Sequence, residues 1–163
     1  QAATAIAAMV NGGNLYPATI VAQTTDNLPV GKRVISRDTS DKMRHLMRLA
    51  VRLGTGGNAD VPGYRVGGKT GTAEKAIAGG YNEKTLISSF AGVFPMDAPQ
   101  YMIFVSVDEP QGLKETFNYA TAGWVAAPVV RNVVARIAPL MGVKPELEER
   151  SEFLQTAYQI DPE

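Results

Sequence analysis

The stretch Val66-Gly67-Gly68-Lys69-Thr70-Gly71-Thr72-Ala73 constrains the fold more than any other part of the chain. Valine and threonine favour extended backbone, and glycine between threonines opposes a helix. In an extended Lys-Thr-Gly-Thr, Lys69 and Gly71 point to one side and Thr70 and Thr72 to the other. A strand edge built this way offers a fixed ammonium, hydroxyl donors and free backbone N–H groups. Those groups suit an anionic, peptide-like ligand. The same letters also describe a glycine-rich surface hairpin with an incidental lysine, and the eight residues alone leave both readings open.

Composition closes off other chemistries. There is no cysteine, which excludes disulfides, cysteine-ligated zinc and thiol nucleophiles. His45 is the sole histidine, so a histidine-based triad would have to use it. With no second histidine beside it, it reads as a surface or rim residue. Neither a metal nor a cofactor is expected. At 163 residues, with 45% apolar and 20% charged, the chain suffices for one domain around one core. Zero net charge gives no bulk attraction to nucleic acid. The zero hides an asymmetry: residues 146–163 hold six acids and one base, which leaves 15 bases and 10 acids in residues 1–145. A mildly basic body suits anionic substrates. No apolar run reaches the length of a membrane helix, and no signal peptide pattern is visible. Gln1-Ala2-Ala3 begins without methionine and inside a helical pattern, so the chain reads as a piece of a longer protein.

Residues 2–10 are apolar nearly all round, the pattern of a buried helix, and Asn11-Gly12-Gly13-Asn14 stops it. Residues 18–23 and 32–36 read as short strands about a turn at Pro29 and Gly31. Ser36 caps a helix to about Leu53, with Asp38 and Asp41 in its first turns. Met43, Leu46, Met47, Ala50, Val51 and Leu53 form its apolar stripe. Arg44, Arg48 and Arg52 recur every four residues and read as its solvated face. Gly54-Thr55-Gly56-Gly57 ends it. The extended stretch over 64–73 follows, then a loop over 76–82. Residues 84–94 and 101–108 are strands, the second apolar on both faces and therefore central. Short connections favour an antiparallel meander. After a polar loop at 110–123, a helix runs from near Val125 to about Met141, with Pro128 in its first turn. Its stripe of Val129, Val130, Val133, Val134, Ile137 and Leu140 would cover the sheet. The acidic tail from Pro145 has room for one short helix.

A nucleotide-binding reading competes for the same lysine. Gly63-Tyr64-Arg65-Val66-Gly67-Gly68-Lys69-Thr70 matches the P-loop pattern G-x-x-x-x-G-K-T letter for letter. That motif needs an apolar strand before the loop and a helix starting at the lysine, whose N–H groups meet phosphate. Asn58 to Pro62 is a poor strand, and Thr70-Gly71-Thr72 opposes a helix where one is required.

Read as a strand, Gly63 to Ala73 resembles the K-T-G strand of penicillin-binding transpeptidases. The resemblance extends in order along the chain. Gln1 to Gly13 is similar to the helix preceding that region. Arg33-Val34-Ile35-Ser36 and Gly54-Thr55-Gly56 match landmarks upstream of the strand. Gly79-Gly80-Tyr81, Ser89-Phe90-Ala91-Gly92, Pro95 and Asp108-Glu109-Pro110 follow in the order of class B, division-type enzymes. Ala126-Ala127-Pro128-Val129 matches the closing helix. Coverage is about residues 1–145, with 146–163 an acidic C-terminal tail. A departure stands beside the match. None of Ser36, Ser40, Ser88, Ser89, Ser106 or Ser151 begins an S-x-x-K or S-x-N motif. Both motifs are expected upstream of Gln1, in the N-terminal half of the same domain.

The resemblance implies an α+β fold of the β-lactamase/transpeptidase-like type, an antiparallel sheet flanked by helices. It implies a peptidoglycan D,D-transpeptidase that uses a serine acyl-enzyme, cross-links stem peptides and is acylated by β-lactams. A penicillin-binding sensor or scaffold of the same fold, without turnover, is the alternative. Lys69 and Thr72 are the implied catalytic residues: the ammonium beside the S-x-N serine, and the Thr72 N–H as one oxyanion donor. Thr70, Gly71 and Thr72 are the implied substrate-binding residues. Tyr81, Tyr119 and residues 111–123 either border the cleft or form plain surface loops. Partners implied are the upstream half-domain, division or elongation complex proteins, stem peptides and β-lactams. The implied place of work is the periplasmic face of the inner membrane, with an anchor upstream.

Overall fold

A computed structural model describes residues 1–24, 29–77 and 80–146, with backbone alone at 76–77 and 81–84. Its elements are α1 (Ala2–Val10), β1 (Asn14–Leu15), β2 (Lys32–Arg33), α2 (Arg37–Arg52), β3 (Gly67–Ile77), β4 (Gly80–Phe94), β5 (Tyr101–Asp108) and α3 (Ala126–Leu140). β3, β4 and β5 form an antiparallel meander in that order, and β1 pairs with β2. The expected α+β arrangement of an antiparallel sheet flanked by helices is what forms.

Alternation along the strands sorts the core into two layers. On one face, Phe90 and Phe94 of β4 pack with Ala126, Ala127, Val130, Val134 and Ala138 of α3. On the other, Val93 and Met96 pack with Val10 of α1 and Met47 of α2. β3 obeys the same alternation. Thr70 sits opposite Phe90 and Thr72 opposite Ser88, on the α3 side, whereas Lys69 sits opposite Ala91, on the side of α1 and α2. The two glycines before the lysine are packing residues. A methyl on Gly67 would run into Met96, and one on Gly68 would lie 2.5 Å from both the Phe90 ring and the Ala91 carbonyl.

Ser36 caps α2 as expected, its Oγ accepting from the Thr39 N–H at 3.0 Å. Such a cap is worth about 1 kcal/mol. Several expectations fail, each for a tertiary reason. Arg48 is buried, so the arginine row is not wholly a solvated face. No strand forms at 18–23, although part of the adjoining turn lies outside the described residues; Ile20 and Val21 are exposed there. β-branched residues need a partner strand, and the ladder is instead made by Asn14–Leu15 with Lys32–Arg33. α1 buries Ala8 and Val10 but leaves Ala2, Ala3 and Ala5 exposed. Val129 and Leu140 face outward on α3, and small Ala126, Ala127 and Ala138 fill the sheet side instead. The loop foreseen over 76–82 is largely strand, with residues 78–79 outside the described residues. β4 is the central strand; β5 is an edge among the described residues, with Phe104 43% exposed. The tail from residue 147 onward lies outside the described residues.

The far end of the hairpin carries an ion cluster. Lys75 Nζ lies 2.7 Å from Glu109 Oε1 and 3.0 Å from Asp108 Oδ1, tying β3 to the end of β5. The hydrogen bonds to Glu109 and then Asp108 raise the ammonium above its ordinary 10.5. A raised lysine contributes its stability in full below the unfolded value and loses it as pH climbs through the folded value. Thermal unfolding of the intact protein is therefore expected to fall more steeply above pH 10.5 than that of a Lys75→Met variant. Superimposable pH profiles for the two would contradict this.

Candidate active site

Three segments meet at the α3 side of β3. They are the strand itself, the loop after α2, and the loop before α3. Gly54, Thr55, Gly57 and Asn58 come from the first loop, Thr121, Gly123 and Trp124 from the second, and Thr70 and Thr72 from the strand; together they line a cleft of about 520 Å³. The loops are fixed to the strands by specific bonds. Ser88, fully buried on β4, donates its Oγ–H to the Ala120 carbonyl at 2.5 Å. The Ala122 N–H donates to Thr72 Oγ1 at 3.0 Å. Asn58 Nδ2 donates to the Gly123 carbonyl at 2.8 Å, joining one loop to the other. Gly123 is glycine because a Cβ there would lie 2.7 Å from the Thr55 carbonyl.

Lys69 reaches this cleft from the opposite face. Its stem lies in an apolar groove with Ile6, Met9, Met43, Leu46, Met47 and Ala50. Its ammonium turns back to donate to the Thr70 carbonyl at 2.8 Å and to Thr70 Oγ1 at 3.0 Å. Thr70 Oγ1 in turn lies 2.9 Å from Thr55 Oγ1. The strand thus brings together Lys69, Thr70 and Thr72, as the sequence led one to expect, along the open margin of the sheet. Thr72 Oγ1 accepts from the Ala122 amide, which leaves its own proton for a ligand. Threonine hydroxyls line the cleft, the Lys69 ammonium bonds one of them, and no carboxylate is among the cleft-lining residues. That arrangement can hold a carboxylate and polarise a neighbouring carbonyl.

Sequence reasoning missed five cleft residues: Gly54, Thr55, Gly57, Asn58 and Trp124. Thr55 and Asn58 matter through contacts 15 and 65 residues away along the chain, which no local pattern reveals. Trp124 stacks on Tyr119 at 6.1 Å and meets the edge of Phe117 at 5.8 Å, forming an aromatic border to the cleft. Tyr119 therefore stands at the rim through Trp124; the Tyr81 side chain lies outside the described residues. His45 is exposed on α2, as expected. The P-loop reading is overturned. Residues 67–77 are strand, so no helix N-terminus stands at Lys69 to receive a phosphate.

The fold and the site define an α+β protein of the β-lactamase/transpeptidase-like class, with a K-T-G strand at one edge of its sheet. Residues 1–135 match the family described as penicillin binding protein transpeptidase domain, and the chain belongs to that family. It is 46% identical over 156 residues to the probable peptidoglycan D,D-transpeptidase FtsI of Caulobacter vibrioides, covering 90% of this chain and 26% of that protein. It is 41% identical over 169 residues to stage V sporulation protein D of Bacillus subtilis, covering 96% of this chain and 25% of that protein. Among solved structures, the apo transpeptidase domain of Burkholderia pseudomallei penicillin-binding protein 3 superposes with a TM-score of 0.79 at 38% identity, covering 90% of this chain and 43% of that one. The chain thus spans about a quarter of the length of these curated relatives.

Proposed function

We propose that residues 1–145 are the C-terminal half of a peptidoglycan D,D-transpeptidase domain and supply the K-T-G wall of its active site, with 146–163 an acidic tail. The single observation that carries this reading is the extended Lys69–Thr72 margin. There threonine hydroxyls line one cleft, and an ammonium bonds one of them, Thr70, from the other face of the strand. The nucleophilic serine belongs to an S-x-x-K motif in the upstream half. That serine attacks the penultimate D-Ala carbonyl of a stem peptide, and the terminal D-Ala departs as an amine. The amine of a second stem peptide then opens the acyl-enzyme and completes the cross-link. β-Lactams enter as mimics of D-Ala-D-Ala and acylate the same serine.

Lys69 holds positive charge beside the S-x-N serine and the substrate carboxylate, which assists proton transfer and anion binding. Thr72 donates its hydroxyl to that carboxylate, and the Thr70 hydroxyl stands between Lys69 and the cleft. The Thr72 N–H is one of two oxyanion donors, a group whose loss typically costs about 3–4 kcal/mol of barrier. β5, an edge here, takes up the further strands of the upstream half. Work on peptidoglycan places the domain outside the cytoplasmic membrane, on the periplasmic side, among division or elongation proteins. No helix among the described residues is long and apolar enough to cross a membrane.

Gly71 separates ligand binding from folding. A Cβ there would make only ordinary contacts with Ser89, the nearest at 3.8 Å. Packing does not require glycine at this place. An incoming strand-like peptide does, since it lies against the bare edge. Gly71→Ala in the intact enzyme is expected to leave the melting temperature unchanged or slightly raised, while acylation by labelled penicillin slows at least about ten-fold, the size of one charged hydrogen bond lost. Wild-type acylation by that variant would remove the role.

The whole reading is tested by incubating the intact protein with labelled penicillin, then with stem peptides. Covalent labelling and cross-linked product are expected. Labelling without any cross-link would leave a β-lactam receptor or scaffold in place of an enzyme.

A further inference from the structure

The hydroxyl of Thr55 lies outside the K-T-G strand, yet it is the end of the only hydrogen-bonded chain that runs from Lys69 into the cleft among the described residues. An ammonium has three donors and no acceptor, so Thr70 Oγ1 must accept from Lys69 Nζ. A hydroxyl that accepts from a cation is polarised toward donating its own proton. Its neighbour at 2.9 Å is Thr55 Oγ1. The chain then runs from Nζ–H to the Thr70 hydroxyl and on to the Thr55 hydroxyl, and the proton of Thr55 is left for the cleft it lines.

Thr55 is held for this purpose. The Gly56 N–H bonds the Ala50 carbonyl at 3.0 Å, fixing the turn after α2. Gly123 closes on the Thr55 carbonyl, and Asn58 ties the same loop to Gly123. The side chain is exposed, so burial gives no reason for a hydroxyl there. On the α3 side of β3, Thr55 and Thr72 are then left with free hydroxyl protons, while that of Thr70 is engaged by Thr55. A carboxylate is acceptor-only and offers about four lone-pair sites, enough to engage both.

We propose that Thr55 is a further binding residue for the ligand's carboxylate, coupled to Lys69 through Thr70. This rests on the transpeptidase reading of the cleft. It is tested in the intact enzyme with benzylpenicillin and benzylpenicillin methyl ester, which lacks the free carboxylate. Thr55→Val should lower the second-order acylation constant for benzylpenicillin roughly ten-fold, the size of one hydrogen bond to a charged group. Thr55→Ser should restore most of it. With the ester, Thr55→Val and wild type should react alike. Unchanged benzylpenicillin acylation in Thr55→Val, or an equal loss with the ester, overturns the assignment. Circular dichroism checks folding, and Thr55→Ala gives the same comparison should the valine variant not fold. Lys69→Ala run in parallel separates the two levels. If it is inert while Thr55→Val is normal, only the role of Thr55 falls. If it acylates normally, the reading of the cleft falls and this role with it.

Discussion

Replacing Lys69 with alanine in the intact enzyme is expected to abolish covalent labelling by penicillin while the fold survives. The survival follows from where the side chain lies. Lys69 is exposed, and its ammonium bonds only its neighbour Thr70, so no core packing or long-range tie is lost. Its stem covers part of the apolar groove between α1 and α2, and losing that cover costs little. The loss of reactivity follows from what the ammonium does. It donates to the Thr70 hydroxyl, and in the proposed function it stands next to the ligand carboxylate and assists proton transfer at the upstream serine. A positioned acid–base group contributes about 10²- to 10⁴-fold, and the missing charge contact adds to that. Lys69→Arg is expected to fail as well. A guanidinium keeps the charge, but its planar fork does not match one hydroxyl and one carbonyl of the same residue. Full-rate labelling of Lys69→Ala, followed by mass spectrometry or gel fluorescence, would remove the lysine from the mechanism.

The K-T-G strand was legible because its local signals agree. Val66, Thr70 and Thr72 prefer extended backbone, and the glycines rule out the helix that a P-loop requires. The α2 cap was legible for the same reason: Ser36 followed by acidic Asp38 is a local code, satisfied within three residues. What stayed hidden depends on distant partners. Thr55 looks like one residue of a glycine-rich turn until β3 brings Thr70 to 2.9 Å. Residues 18–23 look like a strand because propensity records what a residue tolerates, whereas a strand needs a neighbour. β5 read as central from its apolar letters, yet Tyr101, Ile103 and Val105 meet α3 while Phe104 is left half-exposed on the other face. The arginines of α2 are the sharpest case. Arg44, Arg48 and Arg52 are indistinguishable by spacing, and only the fold decides which of them turns inward.

Arg48→Ala is expected to destabilise the intact domain by about 3 kcal/mol, the low end of breaking a buried charge pair. Arg48 is only 8% exposed. One Nη1 group donates to Asp60 Oδ1 at 2.7 Å and to the Val66 carbonyl at 2.6 Å. It therefore joins α2 to the turn after it and to the residue immediately before β3. Val66 is fully buried, so its carbonyl has little access to replacement water. Truncation strands that carbonyl and leaves Asp60, one-third exposed, without its cation. The low end applies because Asp60 keeps some hydration. Asp60→Asn should cost less, since an amide oxygen can still accept from the guanidinium. In a domain of this size or larger, about 3 kcal/mol lowers Tm by roughly 6–12 °C. Urea unfolding checks the free energy directly. The effect on function has a definite sign. Loosening Val66 frees the start of β3, so Lys69 and Thr70 lose their fixed register with Thr55, and acylation slows before global unfolding sets in. A melting curve and an acylation rate both matching wild type would return Arg48 to the solvated row that its spacing suggests.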